Sequence, residues 1–381
     1  MDLLDFRHEL DALDDQLVEL FRRRMEISSQ IAAYKKEKGL PILDAGRERE
    51  KTRALCDQMP PELRSYTAVL YSSLFELSRS CQRRQMAQFT ELNQTIDDAI
   101  CHTPKLFPQE ANVAICGVEG AFAQLACEKL FRIPLMMEFS NFDAVFSAIN
   151  QGLCQYGIVP IENSTTGSVK KIHDLLSTYG FFVVRSVRVK ADYNLLAKPV
   201  TNLADIQEIF THEQAMGQCA EFIRSLGSAV KVTLCDNTVL AAQAVAKSSR
   251  QDVAAICSRT CVDLFDLRCL KRNVQDWDSN YTQFVCVSKA LEIYPGADRT
   301  SIMLSLPNQP GALYKLLARF YAQGINITRL ESRNIPGRDF EIRFCLELET
   351  SIYAQEFIQI ICDLSADCEE FTYFGSYSEV V

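Results

Sequence analysis

The sequence lacks a basic excess: 40 Lys+Arg stand against 49 Asp+Glu, a formal net charge of −9 over 381 residues. A nucleic-acid-binding domain normally carries the opposite imbalance, so that class of partner is excluded. No apolar run approaches the length of a membrane span. No CxxC occurs among the fifteen cysteines, their number is odd, and many sit in apolar runs such as Val113-Ala-Ile-Cys116 and Phe284-Val-Cys286. That usage predicts small buried thiols in a reducing compartment, and it calls for no disulfide, metal or other cofactor. The start, Met1-Asp-Leu-Leu-Asp5, has no basic n-region, which predicts no export signal and a cytoplasmic location. Gly117-Val-Glu-Gly120 lacks both the GK[ST] of a P-loop and the third glycine of a dinucleotide fingerprint, so nucleotide binding is not expected. Neither a GxSxG elbow nor an acid partner accompanies Ser164 and His212, which argues against a serine hydrolase.

What is present is ordinary globular composition, 48% hydrophobic and 23% charged, in a chain long enough for two or three domains. The acid is unevenly spread. Residues 1–90 hold 15 basic and 15 acidic side chains, whereas residues 344–381 hold 8 acidic and none basic.

Periodicity divides the chain in three. From Asp2 to Lys38 the apolar positions Phe6, Leu10, Leu13, Leu17, Leu20, Ile27, Ile31 and Tyr34 step by three and four, and Gly39 and Pro41 end the run. This predicts one helix about 50 Å long, too long to bury its apolar stripe without a partner. Helices over Asp44–Met59 and Pro61–Gln88 complete an all-helical domain at 1–90, and residues 91–110 read as its exit linker. From Val113 short β-branched runs alternate with helical stretches, the pattern of a mostly parallel, helix-covered α/β sheet, giving a domain at 111–289. After Pro295-Gly296 the order is strand, helix, strand, strand, helix, strand, the ferredoxin-like α+β arrangement, at 298–381.

Within the first helix Arg24, Ser28 and Lys35 lie at i, i+4 and i+11 and share a face. Arg7 is 17 positions earlier, about 25 Å along the axis, so only a second subunit could bring it to the same ligand. Asp44, Arg47 and Glu48 share a face of the second helix, and Ser78 and Gln82 a face of the third. These residues resemble, without substitution, the motif of the helical chorismate mutase that forms the first domain of bifunctional P-proteins. The resemblance implies an intertwined homodimer with chorismate as substrate. It implies that Arg7 of the partner, Arg24 and Arg47 clamp carboxylates, that Lys35 and Gln82 face the ether oxygen, that Glu48 takes the hydroxyl, and that Asp44 and Ser78 help bind.

In the α/β region the polar run Glu162-Asn-Ser-Thr-Thr-Gly-Ser-Val169 follows an apolar strand, where small-anion clefts of such folds lie. With Thr211-His212-Glu-Gln-Ala215 and Asn280-Tyr-Thr-Gln-Phe284 it resembles the prephenate dehydratase domain of the same proteins over residues 112–289. That implies a two-lobed fold like periplasmic binding proteins, with prephenate between the lobes. Thr282 is the expected donor to the departing hydroxyl and Glu162 a possible acid; Asn163, Ser164 and Thr166 would position the substrate, and His212 reads as a structural hydrogen-bonding group at the site. Gln283 stands where the motif has arginine, and Arg185 or Lys170 would replace that cation only if the fold brings them near. The competing expectation is therefore a phenylalanine-responsive mutase with a weak or inactive dehydratase.

The last region resembles the ACT domain of prephenate dehydratases over residues 300–375. Gly311, Ala312 and Leu313, with Asn326 and the run Glu331, Ser332 and Arg333, are the positions implied to bind phenylalanine between two subunits; Asn334 stands where that motif has proline. The whole reads as a bifunctional enzyme of phenylalanine synthesis under end-product inhibition.

Overall fold

Asp2 starts the first helix. Its carboxylate accepts from the backbone N–H groups of Leu4 (2.8 Å) and Asp5 (3.0 Å), and the Asp5 carboxylate takes the N–H of Asp2 (2.8 Å), a reciprocal cap. The helix α1 (Leu3–Lys38) runs unbroken to Gly39, whose φ of 62° closes it. In this computed structural model, which describes residues 2–86, 91–165, 167–277, 279–334 and 342–380, α2 (Ala45–Asp57), α3 (Pro61–Met86) and α4 (Glu91–His102) follow. The sequence reading took 91–110 for a linker; its first part is the helix α4, strongly amphipathic, with Ile96 and Ala99 buried. Gln88, the expected end of the third helix, lies outside the described residues. Of α1 only Ser28 and Ala32 are buried. Leu13, Leu17 and Leu20 of the apolar stripe are 50%, 60% and 64% exposed within one chain.

The α/β region comprises β1 (Glu110–Cys116), α5 (Phe122–Leu130), β2 (Ile133–Phe139), α6 (Phe142–Asn150), β3 (Tyr156–Asn163), β4 (Gly167–Ser168), α7 (Lys170–Tyr179) and β5 (Phe182–Lys190). It continues with β6 (Asn194–Ala197), β7 (Glu208–Thr211), α8 (Glu213–Gln218), α9 (Ala220–Ser225), β8 (Lys231–Leu234), α10 (Thr238–Lys247), β9 (Val253–Cys257), α11 (Cys261–Phe265), β10 (Arg268–Lys271) and β11 (Tyr281–Ser288). The C-terminal region holds β12 (Arg299–Ser305), α12 (Ala312–Ala322), β13 (Asn326–Asn334), β14 (Ile342–Glu349), α13 (Gln355–Asp367), β15 (Phe371–Tyr377) and β16 (Glu379–Val380). Phe340, the expected start of β14, lies outside the described residues.

Among the described residues three sheets result, ordered β16-β5-β11-β3-β1-β2 with β4 beside β3, β10-β6-β9-β7-β8, and β13-β14-β12-β15. The expectation of a mostly parallel sheet is corrected here. β1 pairs parallel with β2 and β3, but β11 is antiparallel to both β3 and β5, and β6 is antiparallel to β9 and β10. The reason is the path of the chain: it leaves the first sheet after β5, builds the second, and returns as β11. The two crossings meet where Ala191 N–H donates to Asn280 O at 2.8 Å. Strands β6 and β10 escape the sequence reading because each has four residues and pairs over a long stretch of chain, and β2 because it is an edge strand with a largely exposed pattern.

The fold forms two compact units, residues 1–97, 304–344 and 353–371, and residues 98–303, 345–352 and 372–381. In the second, apolar side chains fill both faces of the first sheet, one with α6 and α7, the other with α5, as the buried runs of β3 and β11 require. Phe374 and Tyr377 belong to that core, and at Gly375 (φ 124°) an added Cβ would fall 2.5 Å from the Val183 carbonyl oxygen. None of the fifteen cysteines is in a disulfide, and burial pushes Cys127 and Cys219 up to about 12.

Candidate active sites

On the helices of the first unit, Arg24 is half-buried. Its guanidinium donates to the Leu74 carbonyl (2.9 Å) and to the Ser78 hydroxyl, and lies 5.6 Å from the Phe75 ring centroid. Burial draws its pKa down, with Tyr71 and Glu48 opposing. Ser78 and Gln82, one turn apart on α3, are both buried, and Gln82 Oε1 has no hydrogen-bond partner among the described residues. A shielded amide oxygen without a partner costs free energy unless something else fills the site. Lys35 reaches from the end of α1 to the Ile42 carbonyl at 2.6 Å. Glu48 is bound by Arg79, a residue that the reading of helix faces passes over although it follows Ser78 directly. Arg24, Lys35, Glu48, Ser78 and Gln82 thus lie on three packed helices.

The other expected residues of this site are placed differently. Asp44 is the N-cap of α2, its carboxylate accepting from Arg47 N–H at 2.9 Å, and the Arg47 guanidinium sits 3.4 Å from Glu50. Arg7 is exposed near the start of α1.

In the second unit the polar end of β3 meets β11 and α8. Asn163 pairs in register with Thr282, and Glu162 with Gln283, just before the register shift between Gln283 and Phe284. Asn163 is buried and donates to Thr282 Oγ1 (2.9 Å) and Asn280 Oδ1 (3.0 Å). Asn280 donates to Gln218 Oε1 (2.8 Å), Gln218 donates to Thr165 Oγ1 (2.6 Å), and Thr165 Oγ1 donates back to Asn163 Oδ1 (2.6 Å). This closed ring ties β3 and β11 of the first lobe to α8 of the second, beside an open cavity lined by Ser164, Thr165, Gln214, Gln218, Trp277 and Ser279. Having accepted one hydrogen bond from Asn163, the Thr282 hydroxyl keeps its own proton to donate. Gly167, at φ 80°, makes the turn that folds β4 back on β3.

Ser164 braces the rim: its hydroxyl donates to Ser279 O (2.9 Å) and accepts from Tyr281 N–H (3.0 Å). His212 is the N-cap of α8, Nδ1 accepting from Gln214 N–H at 3.3 Å. Thr166 lies outside the described residues. Gln218 and Thr165 are missed by the sequence reading. Gln218 is one turn past Ala215 of the His212 motif, and that spacing is the signal that could have found it.

Gln283 does not accompany Thr282. Its amide reaches Glu379 Oε1 (3.2 Å) and Glu347 Oε2 (3.4 Å), a carboxylate pair also met by Arg299, with Arg188 on Glu379. Arg185 does not replace the missing motif cation either: it lies 4.6 Å from the Phe107 ring centroid and 3.4 Å from Ser378 Oγ. Among the described residues no cluster of three or more His, Cys, Asp or Glu is placed to hold a metal.

The family models match in two places, chorismate mutase type II over residues 6–83 and prephenate dehydratase over residues 113–292, together more than half of the chain. The bifunctional chorismate mutase/prephenate dehydratase of Escherichia coli (strain K12) is 26% identical over 98% of this chain and 96% of its own length. The chain belongs to the bifunctional chorismate mutase/prephenate dehydratase family. It carries both enzyme domains and with them both activities, an isomerase and a carbon–oxygen lyase. Among solved structures, a prephenate dehydratase from Arthrobacter aurescens in complex with L-Phe is similar at TM-score 0.64 and 25% identity, covering 70% of this chain and 89% of that one. GqqA, described as a quorum quenching acylase, is similar at TM-score 0.64 and 30% identity, covering 70% of this chain and 98% of that one. Among the described residues no helix is long and apolar enough to cross a membrane.

Proposed function

We propose that the helices of the first unit bind chorismate and rearrange it to prephenate, and that the cleft beside the Asn163 ring removes water and carbon dioxide from prephenate to give phenylpyruvate. The observation that carries the first step is the gathering of Arg24, Lys35, Glu48, Ser78 and Gln82 on three packed helices. The rearrangement is unimolecular and needs no nucleophile, so positioning and charge stabilisation suffice. Arg24 and Arg47 hold carboxylates, Lys35 and Gln82 face the breaking ether bond, and Glu48 accepts the substrate hydroxyl. Asp44 and Ser78 act by holding α2 and Arg24 in place.

The uncovered stripe on α1 supports a homodimer, since a second copy would bury Leu13, Leu17 and Leu20 and bring Arg7 to the site from outside. In the dehydratase step Thr282 donates to the departing ring hydroxyl while Asn163, Ser164 and Thr166 position prephenate. Glu162 is the acid of that step only if its carboxyl reaches past Gln283, its partner in register. His212 serves by capping α8.

The C-terminal βαββαβ order, with sheet order β13-β14-β12-β15, supports a ferredoxin-like ACT domain. Gly311 caps α12 at φ 83°, and Ala312 and Leu313 border a small pocket with Leu306, Gln309 and Phe344. Asn326 opens β13, and Glu331, Ser332 and Arg333 lie near its end. Phenylalanine held there by two subunits would inhibit the enzyme, in keeping with the Arthrobacter relative's bound L-Phe. The cytoplasm is the proposed location, in keeping with fifteen cysteines that form no disulfide. An acylase would need an activated nucleophile, and the Ser164 hydroxyl is committed to Ser279 and Tyr281 instead. Supplying chorismate to the full chain tests the proposal: phenylpyruvate is the expected product, and untouched chorismate would refute it.

A further inference from the structure

Arg79 sits at the centre of a row of alternating charges in the first unit. One guanidinium nitrogen, Nη1, donates to both carboxylate oxygens of Glu48 on α2, and Nη2 donates to Glu76, one turn earlier on α3. Glu76 in turn accepts from Nε and Nη2 of Arg319 on α12. The side chains of Arg79 and Glu76 are each 12% exposed, so the row is less screened by water and salt than surface pairs are. Burial alone would push the Glu76 carboxyl up, but Arg319 and Arg79 outweigh it and the net shift is downward.

Each inner charge is shared. Arg79 serves two carboxylates and Glu76 serves two guanidinium groups, so loss of Arg319 leaves Glu76 free to compete with Glu48 for Arg79. The row ends on Glu48, the carboxylate assigned above to the substrate hydroxyl and close enough to Arg24 to oppose the downward pull of burial on its pKa. A row serving only to staple three helices together would not need to end on that group. We propose that Arg79 is a positioning residue for the mutase reaction, fixing the angle at which Glu48 meets the substrate, and that Arg319 sets this hold through Glu76. The inference rests on the mutase reading of Glu48. Because Gly311 caps the start of α12, a displacement at the first turn is carried about 12 Å to Arg319 by the rigid helix.

The test is the steady-state kcat and KM for chorismate of the full chain, with prephenate turnover followed on the same preparations. Arg79→Met lowers mutase kcat/KM by about 30-fold, in the range that misplacing one contact group produces. Arg319→Met lowers it about fivefold and leaves prephenate turnover unchanged, and the double variant is no worse than Arg79→Met alone, because both losses pass through one carboxylate. Arg79→Lys restores only part of the rate, since an ammonium lacks the fork that meets two carboxylates. Unchanged mutase kinetics in Arg319→Met, losses that multiply in the double variant, or an equal loss of prephenate turnover would each overturn the proposal. Absence of chorismate turnover in the unaltered chain would instead remove the mutase reading on which it rests.

Discussion

The mutase helices and the dehydratase cleft handle closely related dianions by opposite means. On the helices the working groups are charged, spaced by helical turns, and set beside an apolar stripe that one chain leaves exposed. In the cleft they are neutral amides and hydroxyls that bond to one another, and one chain closes the ring. The proposed second copy and placed cations would complete the first site, whereas the ring of the second joins two lobes within one chain. A net charge of −9 is compatible with both, because residues 1–90 are balanced at 15 basic and 15 acidic side chains and the ring of the cleft is neutral.

The comparison breaks most sharply at Lys35. Lys35→Ala should lower mutase turnover by about a thousandfold, the scale of losing a preorganised donor to the developing charge, and leave prephenate turnover intact. Chorismate disappearance followed by absorbance checks this, and near-normal turnover would remove Lys35 from the site. Thr282→Ala is the mirror experiment, with an expected loss of about a hundredfold in prephenate conversion and no change in the mutase. Leu17→Asp places a charge in the exposed stripe of α1. Sedimentation should show a smaller species whose mutase activity is reduced about tenfold or more, with the cleft still active, because the proposed second copy completes only the helical site. The smallest effect is expected for Gln283→Arg, within about threefold in prephenate turnover, since this side chain faces Glu347 and Glu379. A large gain there would revive the reading of a dehydratase weakened by the missing arginine.

The helical region was the more legible because its signal is local. Steps of three and four mark α1, and i, i+4 and i+11 put Arg24 and Lys35 on one face, whereas no spacing within α3 singles out Arg79, because its partner Glu48 lies on another helix. In the cleft the run from Glu162 and the Asn280 motif marked the strand ends, but their pairing depends on β11 returning antiparallel beside β3 after the second lobe is built. Gln218 joins the ring only through that docking. Pro104 and Pro108 give residues 91–110 the look of a linker, but both lie beyond the amphipathic stretch that forms α4. Gln283 shows the same limit: adjacency to Thr282 in sequence implied adjacency in the site, and strand alternation sends the two side chains to different partners.

That one chain carries two consecutive and separable reactions is the prediction on which both domains bear. Its most direct test is to give chorismate to the purified full chain and follow chorismate, prephenate and phenylpyruvate together in time. Prephenate that rises and then falls as phenylpyruvate accumulates is the predicted result; prephenate that accumulates without further conversion, or chorismate that persists, would contradict it.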